Sequence, residues 1–250
     1  MDSFIPWVGG KKLLRKEIVK RFPEDFKKYV EVFGGAAWVL FSQERIAEKE
    51  FYNDKNGELV NLFKMVKYHA EALEKELAFV LNSKEWFAQY QKQDIETMTE
   101  IQRAARYFYL IRASYGARVE SFGYQNRNMT LIKDMEALQK RLAKVVIERR
   151  DYADIIKTKD SEKTLFYCDP PYYEAEKISY GYADFEEKDH ILLRDILKEI
   201  KGKCIVSYND TDFIRELYKD FSMESIERNS NLTAHFGRSR KYAELIIKNF

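Results

Sequence analysis

The residues with the plainest chemical meaning are Asp169, Pro170, Pro171 and Tyr172, which follow the apolar run Leu165-Phe166-Tyr167-Cys168. A short apolar run with such a boundary predicts a buried strand. In an open α/β sheet, ligands bind beyond the carboxyl ends of the strands, which places the tetrapeptide at the active edge. Pro171 keeps Pro170 extended and neither proline donates a backbone hydrogen bond, so the Pro170 carbonyl is left to accept one. A carboxylate beside a free carbonyl is a pair of acceptors, suited to the exocyclic amine of an adenine. The lone pair of that amine is delocalised into the ring. Acceptors for both amine hydrogens pull the nitrogen toward tetrahedral geometry and aim its lone pair at a methyl donor. Tyr172 offers a ring on which a base taken out of the duplex stacks. An ordinary strand-ending turn explains the acid and the prolines singly, and the whole tetrapeptide poorly.

Two further segments have the spacing of a nucleoside site. Tyr29-Val30-Glu31-Val32-Phe33 runs into Gly34-Gly35-Ala36-Ala37 and predicts a strand, a small-residue turn and a helix through Trp38, Val39, Leu40 and Phe41. Small residues there let a cofactor approach the backbone at a helix N-terminus. Asp54 ends the next apolar run at about the twenty-residue spacing of a ribose-holding acid. It could equally cap the helix after Asn56. The segment Pro6-Trp7-Val8-Gly9-Gly10-Lys11 lacks the spacing of a phosphate-binding loop, and Lys12 stands where a Ser or Thr is needed. It reads as a plain turn, or as a turn that closes over a ligand carboxylate with Lys11 as counter-charge.

The elements that must position these residues alternate. Strands are predicted at Tyr29 to Phe33, Glu50 to Tyr52, Val145 to Ile147, Leu165 to Cys168, Cys204 to Ser207 and Leu245 to Ile247. Helical stripes at Leu192, Leu193, Ile196, Leu197 and Ile200, and at Phe213, Ile214, Leu217 and Tyr218, lie between them. The pattern predicts an α/β fold with a mostly parallel sheet. From about Asn61 to Lys144 the strand signal gives way to helices, at Leu73 to Leu81, Ile101 to Ile111 and Met135 to Val145. Residues 1–60 and 145–250 therefore read as the catalytic domain and 61–144 as a helical insertion. Within the insertion, Ser114 to Asn128 carries Gly116 and Gly123 among aromatic and basic residues and reads as a hairpin or ordered loop.

Lys and Arg total 43 against 41 Asp and Glu, so composition alone does not mark a nucleic-acid binder. Any basic face must come from segregation. Arg103, Arg106, Arg112, Arg118 and Arg127 against the single acid Glu120 form one such stretch, with a solvated surface as the equal alternative. Cys168 and Cys204 sit in apolar runs and imply neither a disulfide framework nor a metal site. No apolar run approaches membrane-spanning length, and the chain is expected to be cytoplasmic, in a bacterium or phage-infected cell, without an obligatory protein partner.

Together these segments resemble the Dam-type DNA adenine-N6 methyltransferases. The order is Trp7 to Lys11, the Phe33 to Ala37 turn, Asn53-Asp54-Lys55-Asn56, an insertion, then Asp169 to Tyr172, Ile205 to Asp210 and Arg240 to Ile246. The resemblance implies a Rossmann-like, S-adenosylmethionine-dependent sheet with an inserted target-recognition domain. It implies double-stranded DNA as partner and S-adenosylmethionine as methyl donor, with no metal. Trp7, Gly9, Lys11, Phe33, Gly35, Asp54 and Asp169 are the implied cofactor residues, and Asp151 and Tyr152 the implied adenosine-edge pair. Asp169, Pro170, Pro171 and Tyr172 are the implied catalytic set. Relatives read bases from the region holding Arg112, Tyr115, Arg118, Tyr124 and Arg127, commonly at GATC, so Arg118 is expected on a guanine, or else on Glu120 or a phosphate. One departure is plain: the second turn glycine of the family is Ala37, followed by the bulky Trp38.

Other chemistries fit less well. A cytosine C5 mechanism needs a nucleophilic Cys, usually after Pro, whereas Cys168 and Cys204 follow Tyr167 and Lys203. The scattered His69, His190 and His235 have no Cys pair beside them, which argues against a zinc-dependent base-modifying enzyme. Cytosine-N4, RNA and glutamine-amide methylation use similar amine chemistry and remain as alternatives, as does a catalytically silent DNA-binding relative.

Overall fold

The computed structural model describes residues 1–124, 129, 132–173, 185–229 and 241–250. The short apolar runs become strands β1 (Lys28–Glu31), β2 (Lys49–Asn53), β3 (Val145–Glu148), β4 (Thr164–Cys168), β5 (Lys203–Asn209) and, after the further strand β6 (Ser222–Asn229), β7 (Lys241–Lys248). They form one seven-stranded sheet in the order β3-β2-β1-β4-β5-β7-β6. The first five strands are parallel, and β7 runs antiparallel between β5 and β6. The order reverses between β1 and β4, where Glu31 pairs in register with Tyr167. A crevice beyond the carboxyl ends of these two strands is thus the topological switch point of the sheet.

Strand β6 is the element the sequence pattern hides. Its two large apolar residues, Met223 and Ile226, differ in parity, so they serve opposite faces and leave no period-two stripe. The helix expected through Trp38 to Phe41 is also absent, replaced by turns and a single 3-10 turn at Leu40–Ser42. Gly35 at φ 48° and Ala37 at φ 55° are left-handed, a conformation that an α-helix does not admit.

Alternation along the strands builds two cores. Tyr29, Tyr52, Leu165, Tyr167, Ile205 and Ile246 face one side, while Val30, Phe166, Cys168, Cys204, Val206 and Ile247 face the other. The second side is covered by α7 (Tyr152–Lys159), α8 (Glu187–Glu199) and α9 (Asp212–Leu217). The first is covered by α1 (Arg15–Val19) and by α2 (Gly57–Tyr68), α3 (Ala70–Leu77), α4 (Lys84–Lys92), α5 (Glu100–Ala113) and α6 (Met135–Leu142). The helical insertion therefore shares its core with the sheet. Phe63 of α2 stacks on Tyr52 of β2 at 4.2 Å, and α2 itself spans the expected boundary at residue 60. At the far end of the insertion, buried Arg141 grips Glu50 with two bonds of 2.8 Å and also donates to the Leu40 and Gln43 carbonyls. Among the described residues, no helix is long and apolar enough to cross a membrane.

Candidate active site

The turn after β1 is built by interlocking. The Val32 amide donates to the Tyr167 carbonyl at 2.9 Å, extending the pairing with β4, and the Gly34 amide donates to the Asn53 carbonyl at 2.7 Å. Beyond it the indole of Trp7 lies against Gly35, where a Cβ would meet Nε1 at 2.8 Å. Reciprocally, the indole of Trp38 lies against Gly10, where a Cβ would meet Nε1 at 2.6 Å. Two Trp-on-Gly contacts thus bind the N-terminal Trp7 to Lys11 segment to the turn. They give Trp38, the bulky departure, a packing role outside the turn itself. Ala37 holds a left-handed conformation in which glycine would be unstrained.

Asn53, Asp54 and Asn56 each secure a different piece of chain. Buried Asn53 donates to the Val32 and Arg150 carbonyls and accepts from the Arg150 amide, pinning the ends of β1 and β3. Asp54 accepts from the Gly35 amide at 2.9 Å and from the Asn56 amide at 2.8 Å. The cap of α2 is Asn56, whose Oδ1 accepts from the Glu58 and Leu59 amides while Nδ2 donates to Tyr107 Oη of α5. Asp54 is therefore not the helix cap. It is buried beneath the glycine turn.

Asp169 lies one residue past β4, next to β5. Register pairs Cys168 with Val206, which brings Ser207 level with Asp169. Ser207 Oγ donates to Asp169 Oδ1 at 2.8 Å, and the buried Lys11 ammonium pairs with the same oxygen at 2.7 Å. Lys11 also donates to the Gly9 carbonyl at 2.7 Å and lies 4.7 Å from the centre of the Tyr172 ring. Lys11, expected as the counter-charge of a turn that closes over a ligand carboxylate, here sets its ammonium on the carboxylate of Asp169. Burial raises the Asp169 pKa above the ordinary carboxylate value, with Lys11 opposing the rise. Tyr172 Oη donates to buried Glu244 of β7 at 2.8 Å, which fixes its ring beside the tetrapeptide. Pro170 is buried and Pro171 half-buried.

Along the crevice, Phe33 stacks on Tyr152 with centroids 5.6 Å apart, and Phe185 closes on both at 5.9 and 5.6 Å. Asp151 caps α7 by accepting from the Ala153 amide at 2.9 Å. Sequence reasoning missed Ser207, Glu244 and Phe185. Ser207 was within reach of it, since it ends the apolar run next to the one that carries Asp169.

The loop expected to read DNA lies at the end of α5. An isolated antiparallel bridge pairs Ser114 with Phe122, the Tyr115 amide donates to the Ser121 carbonyl at 2.8 Å, and the Gly123 amide donates to the Ala113 carbonyl at 2.7 Å. Gln91 of α4 braces the tip through the Val119 carbonyl at 2.7 Å. The loop is strongly bent, with left-handed Gly116, Ala117, Val119 and Tyr124. Tyr115 and Tyr124 are exposed, Arg118 is half-buried on the loop, and Arg112 lies over the Phe108 ring at 5.2 Å. Arg127 lies outside the described residues. Two members of the expected basic stretch turn inward: Arg103 pairs with Glu58, and buried Arg106 donates to the Tyr90 carbonyl.

Comparison with known proteins agrees with this geometry. Residues 7–232 match the family model of D12 class N6 adenine-specific DNA methyltransferases. The chain is 30% identical over its whole length to 96% of the Type II methyltransferase M1.LlaDCHI of Lactococcus lactis subsp. cremoris. It is 25% identical, over the full length of both chains, to the Type II methyltransferase M.CviBI of Paramecium bursaria Chlorella virus NC1A. It is 24% identical to a DNA adenine methylase of Haemophilus influenzae, with 97% of this chain and 92% of that one covered. The chain belongs to the D12 class of N6 adenine-specific DNA methyltransferases.

Proposed function

We propose that this adenine-specific methyltransferase takes its methyl group from S-adenosylmethionine and places it on adenine in double-stranded DNA at GATC or a related short site. The observation that carries the reading is Asp169, anchored through one oxygen at the switch point, next to Pro170. In this reading the Asp169 carboxylate and the Pro170 carbonyl accept the two amine hydrogens, and Tyr172 stacks the extruded base. Trp7, Gly9, Phe33, Gly35, Asp54, Asp151 and Tyr152 line the cofactor side. A buried acid under a turn of small residues, with stacked aromatic faces beside it, suits a nucleoside. When bound, S-adenosylmethionine supplies a methyl on a positively charged sulfur, already activated, so the chemistry calls for no metal. Arg112, Tyr115, Arg118, Tyr124 and Arg127 form the DNA side, with Arg118 on a guanine edge.

Methylation-sensitive sequencing of DNA from cells expressing the chain tests the reading. The expected result is N6-methyladenine confined to one short sequence. N4-methylcytosine, or unmodified DNA from a soluble and folded protein, overturns it.

A further inference from the structure

Lys11 and Ser207 both address Asp169 Oδ1, at 2.7 and 2.8 Å. A carboxylate oxygen has two acceptor sites, so Oδ1 is saturated. Among the described residues neither donor reaches Oδ2, which is left as the open acceptor. The hydrogen of Ser207 also settles the sense of the bond beyond it. Ser207 Oγ lies 3.0 Å from buried Tyr167 Oη, and since its single hydrogen goes to a carboxylate that can only accept, Tyr167 must donate to Ser207. A directed chain therefore runs from Tyr167 through Ser207 to Oδ1. Lys11 closes on the same oxygen from the opposite segment. The ammonium has three hydrogens and three surroundings that use them: the Gly9 carbonyl, Asp169 Oδ1 and the face of Tyr172.

We propose that Lys11, with Ser207, is a positioning residue for methyl transfer: by holding Oδ1 of Asp169 from two sides, it turns Oδ2 toward the adenine amine and keeps the carboxylate in its accepting form. This rests on the reading of Asp169 as the amine acceptor. It departs from a role for Lys11 as partner of a cofactor carboxylate. Among the described residues, the charged and titratable groups around Asp169 are Lys11 from the N-terminal segment, Glu31 of β1, Tyr167 and Cys168 of β4, Tyr172 and Glu244 of β7. Lys11 is the one cation among them. Its loss leaves the part-buried Asp169 beside acids without a counter-charge from this group, so the carboxylate takes up its proton at higher pH.

The test uses Lys11→Met, Ser207→Ala and Asp169→Asn, with calorimetric titration of S-adenosylmethionine and single-turnover transfer of labelled methyl to adenine-unmethylated DNA at saturating cofactor across pH. Lys11→Met should bind S-adenosylmethionine nearly as wild type does, lose about tenfold or more in saturated rate, and move the acid limb of the profile to higher pH. Ser207→Ala should shift the limb in the same direction by less, and it decides the matter alone if Lys11→Met melts. If Lys11→Met weakens cofactor binding about tenfold while the saturated rate holds, Lys11 serves the cofactor and the proposal falls. A slower enzyme with an unmoved pH profile also overturns it. Full turnover by Asp169→Asn would instead remove the amine-acceptor reading itself.

Discussion

Asp54 Oδ2 accepts the Gly35 amide hydrogen at 2.9 Å across 19 residues of sequence, so the acid expected on a ribose also fixes the shape of the glycine turn. Asp54→Ala removes this bond together with the proposed ribose contact and leaves a part-buried amide without its acceptor, a loss of about 1 to 3 kcal/mol. Calorimetry should show S-adenosylmethionine binding weakened by about 10- to 100-fold. Asp169→Ala should do the reverse, binding cofactor nearly normally while methyl transfer is lost. Equal cofactor affinity in wild type and Asp54→Ala would refute the assignment of that acid.

Arg118 sits on a loop whose backbone is pinned at Ser114, Ser121 and Gly123, which gives its side chain the fixed origin that the proposed base contact requires. Arg118→Ala should cost about 1 to 3 kcal/mol of discrimination at one base position of the site. Competition binding against single-position variants of the target duplex measures this. A uniform loss over all sequences, with a shallower salt dependence, makes Arg118 a phosphate contact instead.

The Arg141–Glu50 pair is buried on both sides and joins the last helix of the insertion to the second strand of the sheet. Removing one partner strands the other charge in the core. Arg141→Ala should therefore lower unfolding free energy by about 3 to 5 kcal/mol. Urea denaturation reads the loss, and a change below about 1 kcal/mol would mean that water reaches Glu50 in the variant.

Glu31 is fully buried, accepts hydrogen bonds from Tyr29 Oη and the Leu40 amide, and has its pKa pushed up by burial to about 8. Between the ordinary value of 4.5 and about 8 the folded protein holds a proton here that the unfolded chain releases. Folding stability contributed by this group is thus full below the lower value and falls as pH rises through the window. Glu31→Gln, which keeps an acceptor and abolishes the titration, should gain on wild type as pH rises from about 5 to about 9, by an amount on the order of a few kcal/mol. Parallel stability curves for the two proteins would show that Glu31 does not titrate in this window.

Much of this was legible because strand ends and small-residue turns carry strong local signals. The parallel strands read as apolar runs, and the run into Asp169 is a buried strand beside the switch point, as its pattern predicts. What the pattern could not carry were relations between distant segments. Lys11 and Asp169 are far apart in sequence, and only the pairing of β1 with β4 and the Trp-on-Gly contacts bring them together. Ser207 becomes a partner of Asp169 through inter-strand register, which sequence spacing does not state. The helix expected after Gly35 failed for a local reason, since a left-handed Ala37 is not visible in residue type. Arg103 and Arg106 looked like surface charge because the acceptors that turn them inward, Glu58 and the Tyr90 carbonyl, lie on other helices.

The position of β7 governs when the molecule can come together during synthesis. This strand is threaded between β5 and β6, and it supplies the sheet pairing of β6. Until residues 241–248 have left the ribosome, β5 therefore presents an open hydrogen-bonding edge next to the strand that carries Asp169, and β6 has no neighbour in the sheet. Glu244, which holds Tyr172, arrives with the same strand. The nascent chain can assemble its glycine turn and its α2 to α6 helices early, but the sheet edge beside Asp169 is completed by a strand made after the other six, a long-range closure that favours slow folding.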